Sequence, residues 1–212
     1  AHGLLTDEQY NAIVATCKEI LEGKHHDQFP VDMIQGGAGT TTNMNANEVI
    51  CNRALQIMGH EAGEYKYLQP NDHVNCSQST NDAYPTAIHL GLYATHLALR
   101  PHLEELIASL RKKSAEFAHI LKMGRTQLED AVPMSLGQTF GGFAAILEEE
   151  LAYLDFAAKQ FLTINMGATA IGTGICSEPG YAEACIKATA DITGWGHQID
   201  RRPCRSNERH LG

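Results

Sequence analysis

Apolar residues recur every three or four positions along two long stretches of this chain. The first stretch runs from about residue 82 to residue 121, and the second runs from Leu136 to Phe161. This spacing places apolar side chains on one face of an α-helix, so each stretch predicts a long amphipathic helix. Pro101 interrupts the first stretch, and a proline inside a helix removes a hydrogen bond and clashes with the preceding turn. We therefore expect a kink or a break at Pro101.

The two predicted long helices are joined by a short polar segment, which favours an antiparallel helix pair. Their apolar seam is long, and two helices alone cannot cover all of it. We therefore expect further chain or other subunits to cover the remainder. The pattern predicts a mostly α-helical protein built around a long antiparallel helix bundle.

Three shorter helices are predicted outside these stretches. The first begins with a capping box, in which Thr6 and Gln9 satisfy each other's backbone N–H groups, and ends near Gly23. The others are expected at about 45–58, where a glycine follows as a stop signal, and at about 182–192.

Composition narrows the class of protein. The 212 residues carry 25 acidic and 16 basic side chains, and the resulting formal charge of −9 disfavours nucleic acid and anionic membranes as partners. No apolar run approaches the roughly 20 residues of a membrane span, and the beginning of the sequence predicts no signal peptide. The six cysteines are scattered without a C-x-x-C pair, which favours reduced thiols and a cytoplasmic location.

Three clusters of small polar residues interrupt the helical pattern and are poor core material. They are the glycine- and threonine-rich segment 36–45, the segment 71–86 with Ser79, Thr80 and Asn81, and the segment 124–127. Short hydroxyl and amide donors, together with free N–H groups at a helix N-terminus, suit the binding of a carboxylate. We interpret the three clusters as an anion-binding active site assembled from loops on a helical scaffold.

Other chemistries match these residues less well. Segment 36–45 lacks the G-K-[ST] ending of a phosphate loop, and a flexible loop with a helix cap is a plainer interpretation of it. The pair His25–His26 has no partners at metal-ligand spacing, and Ser79 has no His/Asp companion in a nucleophile-elbow context. Arg125 suits either a substrate carboxylate or a structural ion pair.

The order of these motifs resembles the aspartase/fumarase superfamily, and within it the aspartase branch. The matching segments are 35–40, 43–48, 70–75, 78–86, 122–128, 130–134 and 166–174. The resemblance spans about residues 1–195. It implies a mostly α-helical subunit whose long antiparallel bundle associates into a homotetramer, with each active site shared between three subunits.

The resemblance also implies a reaction. It is reversible anti-elimination, in which L-aspartate gives fumarate and ammonium through an aci-carboxylate that preorganised donors stabilise. No metal or organic cofactor is required for this chemistry, although some family members respond to divalent cations. By position, the substrate-binding residues are Ser79 and Thr80 at the β-carboxylate, Thr40 and Asn81 near the amino group, Thr126 at the α-carboxylate, and Gln127, where many members carry histidine.

Three differences favour an aspartase over a class II fumarase. Fumarases usually carry a serine pair before the asparagine, a histidine after Gly-Arg-Thr, and Gly-Gly-Thr-Ala in the last motif. This chain has Ser79–Thr80, Gln127 and Gly167–Ala168–Thr169 at these positions. A class II fumarase acting on malate and fumarate is the alternative enzyme.

Two departures from the family pattern bear on activity and on domain organisation. No segment matches the family's glycine-serine-serine loop, so the catalytic base is missing. We expect this chain alone to be inactive, and a non-catalytic helical-bundle fragment is the further alternative.

Past Trp195, four arginines fall within twelve residues, as a shifted reading frame or a truncated gene would produce. The expected domains are 1–80, the remainder of an N-terminal helical domain; 81–195, part of the central bundle; and 196–212, a divergent basic tail.

Overall fold

The computed structural model describes residues 3–32, 34, 36–196 and 198–199, and within this part the chain forms two compact units. The first unit comprises residues up to Ile88 and from Thr163 onward, and the second comprises His89–Leu162. The domain boundaries expected at residues 80 and 195 stay a prediction. Most of the predicted basic tail, residues 197 and 200–212, lies outside the described residues.

Helices dominate the described residues, which confirms the predicted fold class. The α-helices are α1 (Asp7–Leu21), α2 (Thr40–Ile57), α3 (Thr80–Glu116), α4 (Leu136–Ala158) and α5 (Tyr181–Thr193). Short 3-10 helices occupy His26–Gln28 and Lys159–Leu162, and a π-helix occupies Pro70–Val74. The strands are β1 (Leu121–Thr126), β2 (Glu129–Ser135), β3 (Thr163–Ile164) and β4 (Gln198–Ile199). No helix in this part of the chain is both long and apolar enough to cross a membrane.

Helix α1 begins with the predicted capping box. The Gln9 N–H donates to the Thr6 hydroxyl at 3.2 Å, and the Thr6 N–H donates to the Gln9 side-chain oxygen at 3.0 Å. A cap of this kind contributes about 1 kcal/mol to helix stability. The helix packs on α2 around a small buried cluster formed by Ala12, Cys51, Ala54, Leu55 and Leu68. The first and last turns of α1 therefore lie where the sequence predicts them.

Helix α2 begins at Thr40, five residues before the predicted start at residue 45, so that boundary was wrong. The residue before it, Gly39, adopts a left-handed conformation with φ of 80° and caps the helix. Three β-branched threonines follow, and their modest helix propensity hid the true first turn. The predicted stop holds, because the helix ends at Ile57 and Gly59 adopts a φ of 84°. The polar cluster at 36–45 is thus divided between a loop and a helix.

Helix α3 continues through Pro101 without the predicted break. Side chains on both sides of the proline contact α4. Before it, the His96 Nε2 lies 3.1 Å from the Asp155 Oδ1, and after it the Arg111 guanidinium pairs with Glu148. These tertiary contacts offset the loss of one backbone hydrogen bond, which a propensity argument alone does not include.

Within the second unit, α4 and the part of α3 from His89 onward are antiparallel, as predicted. Arg100 near the middle of α3 pairs with Asp155 near the end of α4 at 3.0 Å, whereas the Ser114 hydroxyl donates to the Gly137 carbonyl at 2.8 Å. Several large apolar side chains of this unit are exposed, as expected for a seam that needs further partners. They are Leu92, Leu97, Leu99, Leu106, Phe143, Ile146, Tyr153 and Phe156.

The connection between α3 and α4 is a β-hairpin, which the sequence did not predict. Strands β1 and β2 are antiparallel, with Thr126 opposite Glu129. The two loop residues, Gln127 and Leu128, both have positive φ, at 50° and 71°. A two-residue hairpin loop with two positive φ angles usually carries Asn-Gly or Asp-Gly. Because neither residue is glycine, the usual hairpin signal is missing from the sequence.

Replacing Glu19 by glutamine is expected to flatten the acid side of the stability curve. The Arg53 guanidinium donates two hydrogen bonds to Glu19, at 2.7 and 3.0 Å, and the His25 Nε2 lies 2.7 Å from the same carboxylate. The hydrogen bonds from Arg53 and then His25 hold the pKa of Glu19 at about 2, below its ordinary 4.5. A lowered pKa adds stability above pH 4.5, and this contribution is lost as the pH falls toward 2.

The measurement is the thermal midpoint from pH 7 to pH 2. We expect Glu19→Gln to melt below the wild type at pH 7 and the gap to close between pH 4.5 and pH 2. Glu8→Gln, on an exposed position of the same helix, shows how far the loss of one negative charge alone moves the curve. A gap of constant size across this range would contradict the assignment.

Candidate functional site

The predicted residues Ser79, Thr80 and Asn81 form the N-terminal turn of α3, within the first unit. The Asn81 N–H donates to the Ser79 hydroxyl oxygen at 3.2 Å, and the Ser79 N–H donates to the Asp82 Oδ1 at 2.9 Å. This reciprocal arrangement resembles a capping box and fixes the Ser79 side chain. Since the Ser79 oxygen accepts from the backbone, its O–H group can donate outward.

Buried amides hold the neighbouring Thr80. The Asn43 Nδ2 donates to the Thr80 Oγ1 at 3.1 Å and contacts the Asn75 Oδ1 at 3.5 Å, while the Asn47 Nδ2 donates to the same Asn75 oxygen at 3.1 Å. Asn43 and Asn47 lie one turn apart on α2, and both are buried. The Thr80 oxygen therefore accepts a protein hydrogen bond, and its own O–H remains available as a donor.

Asn81 is held from the other side by the segment that follows β3. Its Nδ2 donates to the Ala170 carbonyl at 2.8 Å, and the Asn165 Nδ2 donates to the Asn81 carbonyl at 2.9 Å. The Thr86 hydroxyl lies 3.3 Å from the Asn165 Oδ1 and completes this chain of contacts. The amide of Asn81 is thus fixed in one direction, with its side-chain oxygen as the acceptor.

Thr40 is the first residue of α2 and follows a loop that packs against the start of α3. Gly39, directly before it, is buried against the ring of Tyr84, which follows Thr80 by one turn of α3. The Thr40 side chain itself is exposed. The first unit therefore brings the loop before α2 and the first turn of α3 together, with Thr40 next to the contact.

Thr126 and Gln127 lie in the second unit, at the tip of the β-hairpin, and both are exposed. Their sharing a site with Ser79, Thr80 and Asn81 stays a prediction. Arg125 forms an ion pair across the same hairpin, with its Nε 3.1 Å from the Asp130 Oδ1. Of the two interpretations left open for Arg125, the geometry favours the structural ion pair.

The sequence places Asn43 within the polar segment 36–45, and Asn75 and Asp82 within the segment 71–86, but it predicts no individual role for them or for Asn47. One signal was available, because two asparagines four residues apart on a helix share one face. Asp82 is fully buried; burial raises its pKa, although hydrogen bonds from nearby backbone N–H groups oppose that shift. Its distant partner cannot be found from local spacing.

The two histidines at 25 and 26 make local contacts. The His26 Nε2 lies 3.1 Å from the Ile20 carbonyl oxygen, and His25 contacts Glu19. In the described part of the chain, no three His, Cys, Asp or Glu side chains are grouped as a metal site requires.

Comparison with known proteins shows which family this chain belongs to. A family model described as "Lyase" matches residues 1–208. The aspartate ammonia-lyase of Pseudomonas fluorescens is 56% identical over 193 residues, which are 91% of this chain and 40% of that protein. The aspartate ammonia-lyase of Escherichia coli strain K12 is 52% identical over 186 residues, covering 87% of this chain and 39% of that protein. The chain thus spans about 40% of the length of these relatives.

Solved structures agree with the sequence relatives. A fumarate lyase:delta crystallin from Brucella melitensis, bound to cobalt, superimposes with a TM-score of 0.85 at 49% identity, covering 92% of this chain and 42% of that chain. A class II fumarase from Schistosoma mansoni superimposes with a TM-score of 0.80 at 36% identity, covering 91% of this chain and 40% of that chain. With its match over residues 1–208, the chain belongs to the Lyase family, within the aspartase/fumarase superfamily.

Proposed function

We propose that this chain supplies the substrate-binding part of an aspartate ammonia-lyase, which interconverts L-aspartate with fumarate and ammonium. The observation that carries the proposal is the fixed turn Ser79–Thr80–Asn81 at the N-terminus of α3. The identity of 50–56% to aspartate ammonia-lyases over about 90% of the chain supports aspartate as the substrate. Lyase chemistry of this kind needs donors that can bind a carboxylate, and the hydroxyl and backbone N–H groups of this turn support that role.

The hydroxyl donors of this turn are positioned so that they can bind an anion. The hydroxyl oxygens of Ser79 and Thr80 accept hydrogen bonds from the protein, so their protons are free to reach a ligand. The N-terminus of a helix also carries about half a positive charge, which favours a bound carboxylate. When the carbon next to the β-carboxylate loses its proton, the extra charge of the aci-carboxylate develops beside these donors. Preorganised donors lower the barrier because they need no reorganisation during the reaction.

The amino group of the substrate is assigned to Asn81 and Thr40. The Asn81 amide is held through its Nδ2, so a ligand meets its oxygen, which accepts a hydrogen bond from an ammonium group. Thr40 lies at the start of α2, directly after the loop that contacts α3 through Gly39 and Tyr84. Thr126 is assigned to the α-carboxylate, with Gln127 beside it.

Assembly into a homotetramer is part of the proposal. The exposed apolar side chains of α3 and α4 form a surface that further subunits would cover, as the long seam requires. Loops from different subunits would then meet, which is how Thr126 and Gln127 would join Ser79. We also propose a cytoplasmic location, on the basis of the scattered cysteines.

The general base is not assigned to any residue of this chain. No segment of residues 1–212 matches the family's serine loop, so we propose that these residues bind substrate without turning it over. The purified 212-residue chain should bind fumarate in calorimetry and release no fumarate from aspartate. Turnover by this chain alone would contradict this part of the proposal.

Activity is tested in a chimaera. The matching segment of the Pseudomonas fluorescens aspartate ammonia-lyase is replaced by that of this chain, and fumarate formation is followed by its ultraviolet absorbance. We expect kcat/KM for aspartate within about tenfold of the parent, and Thr80→Ala should lower it by roughly 100-fold or more, as loss of one oxyanion-hole donor does. Thr95→Ala is the matched control, because this exposed threonine donates only to Gly91 of its own helix.

Two outcomes would count against the proposal. A folded chimaera that dehydrates malate and ignores aspartate would favour the class II fumarase, which the 36% identity to the Schistosoma mansoni enzyme makes the second candidate. A chimaera that assembles but binds neither ligand would favour a non-catalytic helical bundle. Circular dichroism and gel filtration establish in each case that the chimaera is folded and assembled.

A further inference from the structure

A buried carboxylate lies directly behind the proposed substrate-binding turn. Asp82 has no exposed surface, although it is only one residue beyond Asn81. Its Oδ1 accepts from the Ser79 N–H at 2.9 Å, and its Oδ2 accepts from the Thr169 N–H at 2.8 Å. One side chain therefore joins the first turn of α3 to a segment 87 residues further along the chain.

The segment that Asp82 holds has a strained backbone. Thr169 adopts a φ of 58°, a left-handed conformation that a β-branched residue rarely takes because of steric strain. Its side chain is 3% exposed, and the Thr169 Oγ1 has no hydrogen-bond partner among the described residues. The threonine hydroxyl therefore does not anchor this residue, and its backbone N–H is held by Asp82.

Backbone N–H groups, and not a cation, compensate the charge of Asp82. No ion pair within the described part of the chain includes this carboxylate; besides Ser79 and Thr169, the N–H groups of Ala83 and Gly167 also act on it. The titratable groups near it are Tyr181 and Cys185, and burial raises the pKa of both. Both side chains therefore stay uncharged in the acidic range in which a carboxyl group titrates.

We infer that Asp82 is a positioning residue, whose carboxylate fixes the turn Ser79–Asn81 against segment 165–170 and so directs the ligand-binding groups of Ser79 and Asn81. The contacts of Asn81 with Ala170 and Asn165 run between the same two segments, in parallel with those of Asp82. The inference rests on the proposed function for the identity of its ligand. The link that Asp82 makes between Ser79 and Thr169, which we call the tether, is a property of the fold. Asp82 does not touch the substrate in this assignment.

The first test compares the 212-residue chain with its Asp82→Asn variant. Asparagine keeps one acceptor oxygen, but its NH₂ group cannot accept from the second N–H, so one of the two links is lost. We expect amide hydrogen exchange at Thr169 or Ser79 to become at least about tenfold faster, while exchange in the α1–α2 core stays unchanged. Asp191→Asn, on an exposed position of α5, is the matched control. Unchanged exchange at both Ser79 and Thr169 would overturn the inference.

A second readout uses the wild-type chain and does not depend on whether the variant folds. Burial raises the pKa of Asp82 above its ordinary 3.8, with backbone N–H groups opposing the shift. The ¹³C resonance of the Asp82 carboxyl and the amide proton of Thr169 should therefore titrate with one shared midpoint above pH 3.8. A Thr169 amide that does not follow the carboxyl would contradict the tether.

Ligand affinity separates this inference from the proposed function. Calorimetry with fumarate and with aspartate should show binding to the wild type and to Asp191→Asn, and at least about tenfold weaker binding to Asp82→Asn. Equal affinity of the wild type and Asp82→Asn would overturn the positioning role and leave the proposed function standing. If the wild type binds neither ligand, the proposed function fails for this chain, and exchange and titration still decide the tether.

Discussion

Replacing Gly39 by alanine is expected to lower the free energy of unfolding by about 2–5 kcal/mol and to remove ligand binding at the start of α2. Gly39 has a φ of 80°, a conformation that costs an L-residue about 1–2 kcal/mol. A Cβ placed on it would lie 2.1 Å from the Tyr84 ring, far inside van der Waals contact. Overpacking of this kind adds roughly 1–3 kcal/mol. Because Thr40 follows directly, any shift that relieves the collision moves a proposed ligand-binding residue.

The measurement is urea unfolding of the 212-residue chain, together with fumarate calorimetry. Gly59→Ala is the matched control, since Gly59 has a φ of 84° at the other end of α2 but open space around its Cβ position. Gly59→Ala should lower the free energy of unfolding only by the cost of the left-handed backbone conformation, about 1–2 kcal/mol. Adding Tyr84→Ala to Gly39→Ala tests the collision from the other side, because the double variant should recover ligand binding relative to Gly39→Ala. Equal losses at Gly39 and Gly59 would show that the ring does not press on the loop.

The elements that the sequence predicted well are those defined by contacts close in sequence. The capping box of Thr6 and Gln9 lies at the start of one helix, and most of each long apolar repeat lies within one helix, so their spacing is visible in one dimension. The repeats run past the helix ends at Glu116 and Ala158, so the predicted ends at residues 121 and 161 were wrong. Of the kink or break expected at Pro101, the break does not occur, because contacts between α3 and α4 outweigh a local defect. The hairpin at Gln127 was missed because its turn uses residues that rarely adopt positive φ.

In the candidate site, too, the sequence predicted the features that depend on neighbouring residues and missed those that depend on distant contacts. The turn Ser79–Asn81 was predicted as a donor cluster because small hydroxyls and amides before a helix are a local signal. The roles of Asn43 and Thr169 depend on contacts with residues 37 and 87 positions away, respectively, which no spacing rule specifies. Thr126 and Gln127 belong to the polar segment 124–127, but their individual roles were assigned only through family resemblance. Their place in the site is still a prediction.

Replacing either of two glycines of α4 by alanine should change the free energy of unfolding, but in opposite directions. A Cβ on Gly137 would lie 2.3 Å from the Ser114 carbonyl oxygen and 2.8 Å from the Ala118 backbone. Both contacts are with backbone, which cannot rotate away as a side chain does. The Gly137 N–H also donates to the Phe117 carbonyl at 3.0 Å, so separating the helices would break hydrogen bonds as well. We expect Gly137→Ala to lower the free energy of unfolding by about 2–3 kcal/mol.

Gly142 is the matched control for Gly137, because it lies on the same helix with nothing within 4 Å of its Cβ position. Alanine there removes the conformational freedom of glycine in the unfolded chain, so Gly142→Ala should stabilise the chain by roughly 0.5–1 kcal/mol. Urea unfolding of both variants at one low protein concentration measures the difference. A destabilised Gly142→Ala would place a neighbouring surface against this face of α4. A neutral Gly137→Ala would mean that α3 and α4 do not approach as closely as the hydrogen bond from Ser114 to Gly137 requires.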